Sequence, residues 1–306
     1  KAQGYDYNTA TEKWKIPHHV WLRKTHIVNL AMMLKSEAVS HDLLDEEYTD
    51  QAENLRLILD RYNGTAFEGF TGDEVLSGLD PTRGTECCAV VEQMYSYEEL
   101  FAHTGDRKWA ERLEVLGFNA LPATLSEDMW THQYVQQVNQ VACQKTMLMA
   151  PWSTNGPYAH TFGLEPNFGC CTANFNQGWP KFALSAFLHK DDVILSAVML
   201  PSVLTEEGIT IRLETDYPFR NNMHYSIDAN KAFVFQIRIP SFAKNLRVNG
   251  KSVDTKDLSF AIGPGTTEID VAFETAPYFK KRPRMVSPRE KCSLRLGKLP
   301  GQTVAR

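Results

Sequence analysis

Two spacings of apolar residues divide this chain. Up to about residue 190 they recur every three to four positions, as on one face of an amphipathic helix. "VWLRKTHIVNLAMMLKSEAVS" (20–40) and "EEYTDQAENLRLILDRYNGT" (46–65) carry this period, the second closing on the Asn63-Gly64 stop signal. Two more helices are expected from Glu86 to about His103 and from Asp106 to about Leu121, and a last one over about 172–188. Beyond about 191 the period falls to two. "DVILSAVMLPSVLT", "GITIRLETDY", "FVFQIRIPS", "NLRVNGKSV" and "LSFAIGPGTTEIDVAFET" are short Val-, Ile- and Phe-rich runs parted by Gly, Pro and Asn-Gly turns. That pattern predicts antiparallel strands stacked as a sandwich.

The pattern therefore predicts an α+β multidomain chain, helical over 1–190 and β-sandwich over 191–306. The tail, 280–306, is basic and poorly patterned, either disordered or holding strands cut short. The helices are joined by long loops, notably "EGFTGDEVLSGLDPTRGT" and an irregular stretch carrying Trp130 and Trp152. Unstructured loops beyond about 12–15 residues are uncommon in compact domains unless they hold a site.

Composition narrows the partners. With 306 residues, 43% hydrophobic and 23% charged, and a net charge of −5, the chain has soluble globular character and no basic stripe for nucleic acid or anionic membrane. The one basic patch, "KKRPR" (280–284), reads as a solvated loop. No apolar run nears the roughly 18 residues of a membrane span. The chain begins on Lys1 with no signal-peptide core, so it reads as a piece lacking its natural N-terminus. The compartment stays open between cytoplasm and secretion, and one sequon, Asn63-Gly64-Thr65, is compatible with the latter.

Six cysteines stand at 87, 88, 143, 170, 171 and 292, four of them as two adjacent doublets. Neighbouring cysteines are poorly placed to bond to each other. Both doublets precede or open a predicted helix, where the local dipole favours a thiolate. Grouping Glu86, Cys88, Cys170 and Cys171 would give three sulfurs and one carboxylate oxygen, a set zinc accepts tetrahedrally. Two alternatives remain: the cysteines are small buried hydrophobes, or 87/88 are linked to 170/171 by disulfides. "FTGDEVLSG" sets Asp73 and Glu74 in a Gly-rich loop, where a carboxylate can serve as acid or base or simply be a solvated turn residue. His26, inside the first predicted helix, is either a packing residue or part of a site. "TLSEDMWTHQYVQQVNQVAC" (124–143) supplies the amides and aromatic faces that sugars need, as ordinary loops also do.

In order and wording, "WLRKTHIVNLAMMLK", "FTGDEVLSGLDPTRGTECCAVVEQMYS", "MWTHQYVQQVNQ" and "NFGCCTANFNQGWPKF" resemble the family 127 glycoside hydrolases, the β-L-arabinofuranosidase group. The likeness spans about 14–190 and extends loosely into the β region. It implies a partial (α/α)6 toroid, its first helices missing, followed by the antiparallel β-sandwich. It implies a Zn2+ held by Glu86, Cys88, Cys170 and Cys171, with Cys170 the nucleophile, Glu74 the acid/base and His26 lining the sugar subsite. It departs at Phe168, where the family pattern has a histidine two residues before the doublet.

The function so implied is a retaining glycoside hydrolase acting on arabinofuranosides, with an oligosaccharide or other glycoside as partner, no nucleic acid or membrane, and an oligomeric state the sequence leaves undefined. A buried Glu74 acting first as an acid would need a raised pKa. The alternative is a degenerate carbohydrate-binding scaffold whose zinc-thiolate site is purely structural.

Overall fold

A computed structural model describes residues 7–18, 20–138, 140, 142–146, 155–281 and 292–295. Among these are seven α-helices: α1 (Tyr7–Trp14), α2 (Ile27–Met33), α3 (Ser36–Leu44), α4 (Gln51–Asn63), α5 (Cys87–Thr104), α6 (Arg107–Val115) and α7 (Gly169–Leu184). The helix expected over 20–40 is two helices, broken at Leu34 and Lys35 and starting only at Ile27. His26 is consequently not inside a helix. Its backbone is extended (φ −69°, ψ 119°) because it pairs as a β-bridge with Val75, and its imidazole Nδ1 caps α2 by accepting from Asn29 N at 3.4 Å.

α5 organises the helical half. Its sequence, "CCAVVEQMYSYEELFAHT", is apolar on nearly every face, and such a helix must be enclosed. α2, α3, α6 and α7 all pack against it. α6 runs on into a π-helical turn, Leu116–Ala120, whose Gly117 lies under the Phe182 ring of α7: a Cβ there would come within about 3.0 Å of that ring. Two two-residue strands, β1 (Thr85–Glu86) and β2 (Val135–Gln136), pair antiparallel beside the start of α5.

Chain reversal at Ser185 leads into the sheets, four residues earlier than the period change suggested. The first hairpin is β3 (Phe187–Lys190) with β4 (Val193–Ser196). There follow β5 (Ser202–Glu206), β6 (Ile209–Thr215), β7 (Asn222–Ala229), β8 (Phe233–Arg238), β9 (Lys244–Val248), β10 (Lys251–Ser252), β11 (Asp257–Ile262), β12 (Gly265–Glu274), β13 (Tyr278–Lys281) and β14 (Cys292–Arg295). One sheet runs β10-β9-β12-β7-β6-β5 and the other β11-β8-β4-β3, with β13 and β14 pairing separately. The two main sheets meet through Ile211, Tyr225 and Ile227 on one side and Ile194, Phe235 and Ile237 on the other.

Two corrections follow. The β region is not wholly antiparallel, because β4 lies parallel to β8. And β7, a central strand, occupies a stretch that the strand forecast had left out, although Met223, Tyr225 and Ile227 alternate inward along it. Lys280 and Lys281 of the basic patch close β13, and the rest of that patch and most of the tail lie outside the described residues.

The halves are joined by buried charge. Glu114 of α6 and Arg238 of β8, both almost fully enclosed, form an ion pair. Glu114 also accepts from Met199 N at 2.9 Å and from the Tyr217 hydroxyl at 3.4 Å, and Arg238 Nε donates to Ala197 O at 2.5 Å. Glu111 one turn earlier accepts from the Ser241 hydroxyl at 2.7 Å.

Candidate active site and metal centre

Three backbone pairings bring distant segments to one point. Ile27 N donates to Glu74 O at 2.9 Å, Glu86 N to Gly72 O at 2.9 Å, and Cys87 N to Tyr134 O at 2.8 Å. Two glycines permit this approach. A Cβ on Gly72 would lie 2.2 Å from Ile27 Cγ2, and one on Gly84 would lie 2.1 Å from Val135 Cγ1 and 2.5 Å from Gln136 O. Glu74 itself is held at φ +112°, a conformation that costs a non-glycine residue on the order of 1–3 kcal/mol and is retained only where surroundings enforce it.

The two cysteine doublets meet here. Cys87 and Cys88 open α5, and Cys170 and Cys171 lie in the first turn of α7. α7 starts at Gly169 rather than near 172, so both of its cysteines fall where helix dipole and free N–H groups favour an anion. Donor atoms of Glu86, Cys88, Cys170 and Cys171 all lie within 4.8 Å of one another. Cys88 Sγ is 3.2 Å from Cys171 Sγ, well beyond the ~2.05 Å of a disulfide bond, and both are free thiols in this structure. Among the four only Cys170 is exposed.

The electrostatics are uneven. The Cys170 thiol is brought down to about 6, first by the neighbouring Cys171 thiol and, against some burial, by Cys88. Cys171 is pushed up, because the hydrogen bond to Cys170 keeps its proton in place. Negative charge therefore settles on the one sulfur that solvent can reach. Glu86 is pushed up to about 8 by burial and by the Glu74 charge, and its Oε2 is buried with no hydrogen-bond partner. An orphaned carboxylate oxygen beside three sulfurs is a site built for a cation. The donor set fits zinc, which takes thiolate and carboxylate in tetrahedral array.

Beside the cysteines is a second group. His26 Nε2 lies 3.2 Å from Glu74 Oε2, while the Tyr134 hydroxyl donates to Glu74 Oε1 at 2.8 Å. Asn155 Nδ2 reaches the same oxygen at 3.5 Å and the Tyr134 hydroxyl at 3.1 Å. Because His26 Nδ1 accepts from Asn29 N, the neutral ring carries its proton on Nε2, facing Glu74. Glu74 is thereby held below the ordinary carboxylate range, first by His26 and, against burial, by Tyr134. His26 is raised in turn, chiefly by its bond to Glu74. The raised Glu74 pKa expected for a buried acid is thus replaced by its opposite: the side chain is 41% exposed and surrounded by donors.

Residues 62–184 match the model of the β-L-arabinofuranosidase GH127 catalytic domain, and residues 196–260 match the GH127 middle domain. The two matches follow each other in chain order and together span more than half of the sequence. The chain belongs to glycoside hydrolase family 127. The catalytic-domain match ends on Leu184, the last residue of α7.

This family 127 chain is similar in fold to a solved glycoside hydrolase, at TM-score 0.72 and 16% identity over 90% of this chain and 51% of that one. It is similar also to a GH127 β-L-arabinofuranosidase from Geobacillus stearothermophilus T6, at TM-score 0.63 and 17% identity over 89% and 46% of the two chains. A GH127 β-arabinofuranosidase gives TM-score 0.64 and 19% identity over 90% and 45%. The chain spans about half the length of these solved structures. No curated protein matches it.

The structure brings all of the sequence-predicted site residues of this family 127 chain into one neighbourhood: Glu74, Glu86, Cys88, Cys170, Cys171 and His26. It separates others from it. Gln133, Gln136 and Gln137, read from sequence as sugar-binding amides, are buried and donate to the carbonyl oxygens of Ala123, Ala120 and Thr82. Trp130 stays 73% exposed, and Trp152 lies outside the described residues. Asn63 of the sequon is fully buried, its Nδ2 donating to Trp14 O at 2.7 Å, so it offers no amide to a glycan. Tyr134 and Asn155 were missed. Nothing in their spacing points to Glu74, since both reach it from a loop across the fold.

Proposed function

We propose that this chain carries the reaction centre of a retaining glycosidase acting on arabinofuranosides, with Cys170 as nucleophile and Glu74 as acid/base. We read residues 1–190 as part of an (α/α)6 toroid and 191–306 as the sandwich that follows it. The observation that carries the reading is one exposed sulfur, Cys170, in the Glu86–Cys88–Cys170–Cys171 cluster, beside a carboxylate, Glu74, with its own proton partner in His26.

Glu86, Cys88, Cys170 and Cys171 would hold zinc, which when bound keeps the sulfur deprotonated at neutral pH in place of a proton. Cys170 attacks the anomeric carbon as the bond from that carbon to the leaving oxygen breaks. The leaving oxygen takes its proton through Glu74, which first receives it from the protonated imidazole of His26 across their shared hydrogen bond; the proton Glu74 later takes from water goes back to His26. Glu74, again a carboxylate, then removes a proton from water. The water oxygen attacks the same carbon, the carbon–sulfur bond breaks and the electron pair returns to Cys170. Two inversions give net retention, with sulfur in the place of the usual carboxylate nucleophile. His26 and Tyr134 hold Glu74 in the geometry both half-reactions need.

The test is hydrolysis of aryl α- and β-L-arabinofuranosides by the chain, compared with Cys170→Ser and Glu74→Gln. Cys170→Ser is expected to lower kcat by about a thousandfold or more. Full activity in that variant would remove Cys170 from the mechanism. A structural zinc-thiolate site without turnover is the second reading. It is favoured by the burial of Glu86, Cys88 and Cys171 and would show as bound zinc with no hydrolysis by any variant.

A further inference from the structure

A second set of metal-capable side chains lies at the other end of α5. His41 and Asp42 occupy the last turn of α3, and His103 the last turn of α5. One donor atom from each falls within 4.8 Å of the other two. His103 is fifteen residues beyond Cys88 on the same helix, about 22 Å along its axis, so the two centres are distinct.

Four features suit this cluster to a cation. His103 Nδ1 lies 2.8 Å from Asp42 Oδ1, near the ~3 Å spacing of two donors that share an ion of ~2.0–2.2 Å bond length. His41 Nδ1 lies 2.6 Å from Glu46 O. A carbonyl only accepts, so the proton sits on Nδ1 and the Nε2 lone pair is left to bind a cation. This is the carbonyl support that metal-ligating histidines characteristically have. The rings are also fixed in place: His103 packs between His41 (centroids 4.9 Å, 72°) and Tyr48 (4.6 Å, 58°). Finally, α3 and α5 both end here, at Asp45 (φ 54°) and Gly105 (φ 65°), and the negative ends of two helix dipoles attract positive charge.

We propose that His41, Asp42 and His103 form a second metal site, for a transition-metal dication of the zinc, cobalt or nickel class. Two imidazoles with one carboxylate select such ions over magnesium and calcium, which take oxygen donors. Asp42, 57% exposed, leaves the entry path open, and water completes the coordination. The ion takes the place of the proton between His103 and Asp42 and ties the end of α3, and the 45–50 turn held by His41, to the end of α5.

The test uses the tag-free chain loaded with Co2+ and freed of excess metal. Bound cobalt is counted by elemental analysis, and the cysteine centre is read separately by its thiolate-to-cobalt charge-transfer absorption. The wild-type chain is expected to carry one equivalent more than that absorption accounts for. His41→Gln and His103→Gln should each lose that equivalent with the charge-transfer band unchanged. Asp42→Asn, at an exposed side chain that folding does not require, should weaken it at least tenfold. Equal cobalt in wild type and all three variants would overturn the proposal, as would a wild-type chain whose cobalt is fully explained by the thiolate band. A histidine-dependent equivalent in a chain that shows no thiolate band would uphold this site while removing the cysteine centre.

Discussion

His26 directs its Nε2 proton at Glu74 Oε2 across 3.2 Å, and the backbone bridge between His26 and Val75 fixes both ends of that contact. The pair acts as a unit in the mechanism above, so its two members should not contribute independently. His26→Ala is expected to lower kcat/KM by about ten- to a hundredfold. In a Glu74→Gln background the same change should cost less than threefold, because effects of residues acting together are strongly non-additive. Steady-state kinetics on the four proteins decide it: full additivity would show that His26 works through something other than Glu74.

Phe168 stacks on the Tyr134 ring at 3.9 Å and 14°, and Tyr134 in turn donates to Glu74. In the proposed mechanism Phe168 is expected to act through Tyr134 rather than through the substrate. Phe168→Ala should lower kcat more than it raises KM, as expected when a supporting side chain is lost. Phe168→Tyr, which keeps the aromatic face, should restore most of the rate. A change confined to KM in Phe168→Ala would instead place this ring in the sugar pocket.

Glu98 supplies a pH dependence away from the site. Burial pushes its carboxyl up to about 8, partly countered by Lys181 and Lys35 and reinforced by Glu99, and its Oε1 has no hydrogen-bond partner. Its folded pKa is raised above the unfolded value, so the folded state holds the proton more tightly than the unfolded chain. Stability is thus expected to fall as pH rises from about 4.5 to about 8. Glu98→Gln keeps shape and loses the charge. It should flatten that slope and gain on the order of a few kcal/mol at pH 8.5 in urea unfolding. An unchanged slope in the variant would assign the pH dependence to other groups.

The Glu114–Arg238 pair joins the helical half to the sheets, and neither member reaches solvent. Removing one partner leaves a buried charge unpaired, so Arg238→Ala should cost about 3–5 kcal/mol. Replacing both, as Glu114→Leu with Arg238→Met, should cost much less, since the desolvation of both ions is then avoided. Comparing unfolding free energies of the three proteins tests this. A double variant as unstable as Arg238→Ala would mean that the partners Met199, Tyr217 and Ala197 matter more than the ion pair.

Much of this protein was legible without coordinates where the signal is local. The helix period located α4, which buries one stripe, and α5 and α6, whose apolar residues recur at helical spacing, and the alternation after about 190 located most strands. The doublets "GTECC" and "NFGCC" by themselves left a metal centre, buried thiols and disulfides open, and the resemblance to family 127 is what implied a shared centre. Non-local pairing was not legible. His26 looked helical because residues 20–40 keep a helical period, but its backbone pairs with Val75 from a distant loop, and α2 starts seven residues later, at Ile27. β4 lies parallel to β8 because of a crossover that no single strand's pattern encodes. The glutamines after Thr131 fitted either sugar-binding or ordinary loop roles, and the carbonyls that consume them lie on other segments.

The sequence alone determined which donor types are available: three sulfurs, two carboxylates and a histidine, with most of the helices and strands that carry them. Only the tertiary structure decided which sulfur is open and charged and which carboxylate is orphaned. It also decided that Glu74 is held ionised by His26 and Tyr134 instead of being protonated by burial. A pKa depends on what surrounds a group within a few ångströms, and here those neighbours come from six separate stretches of chain.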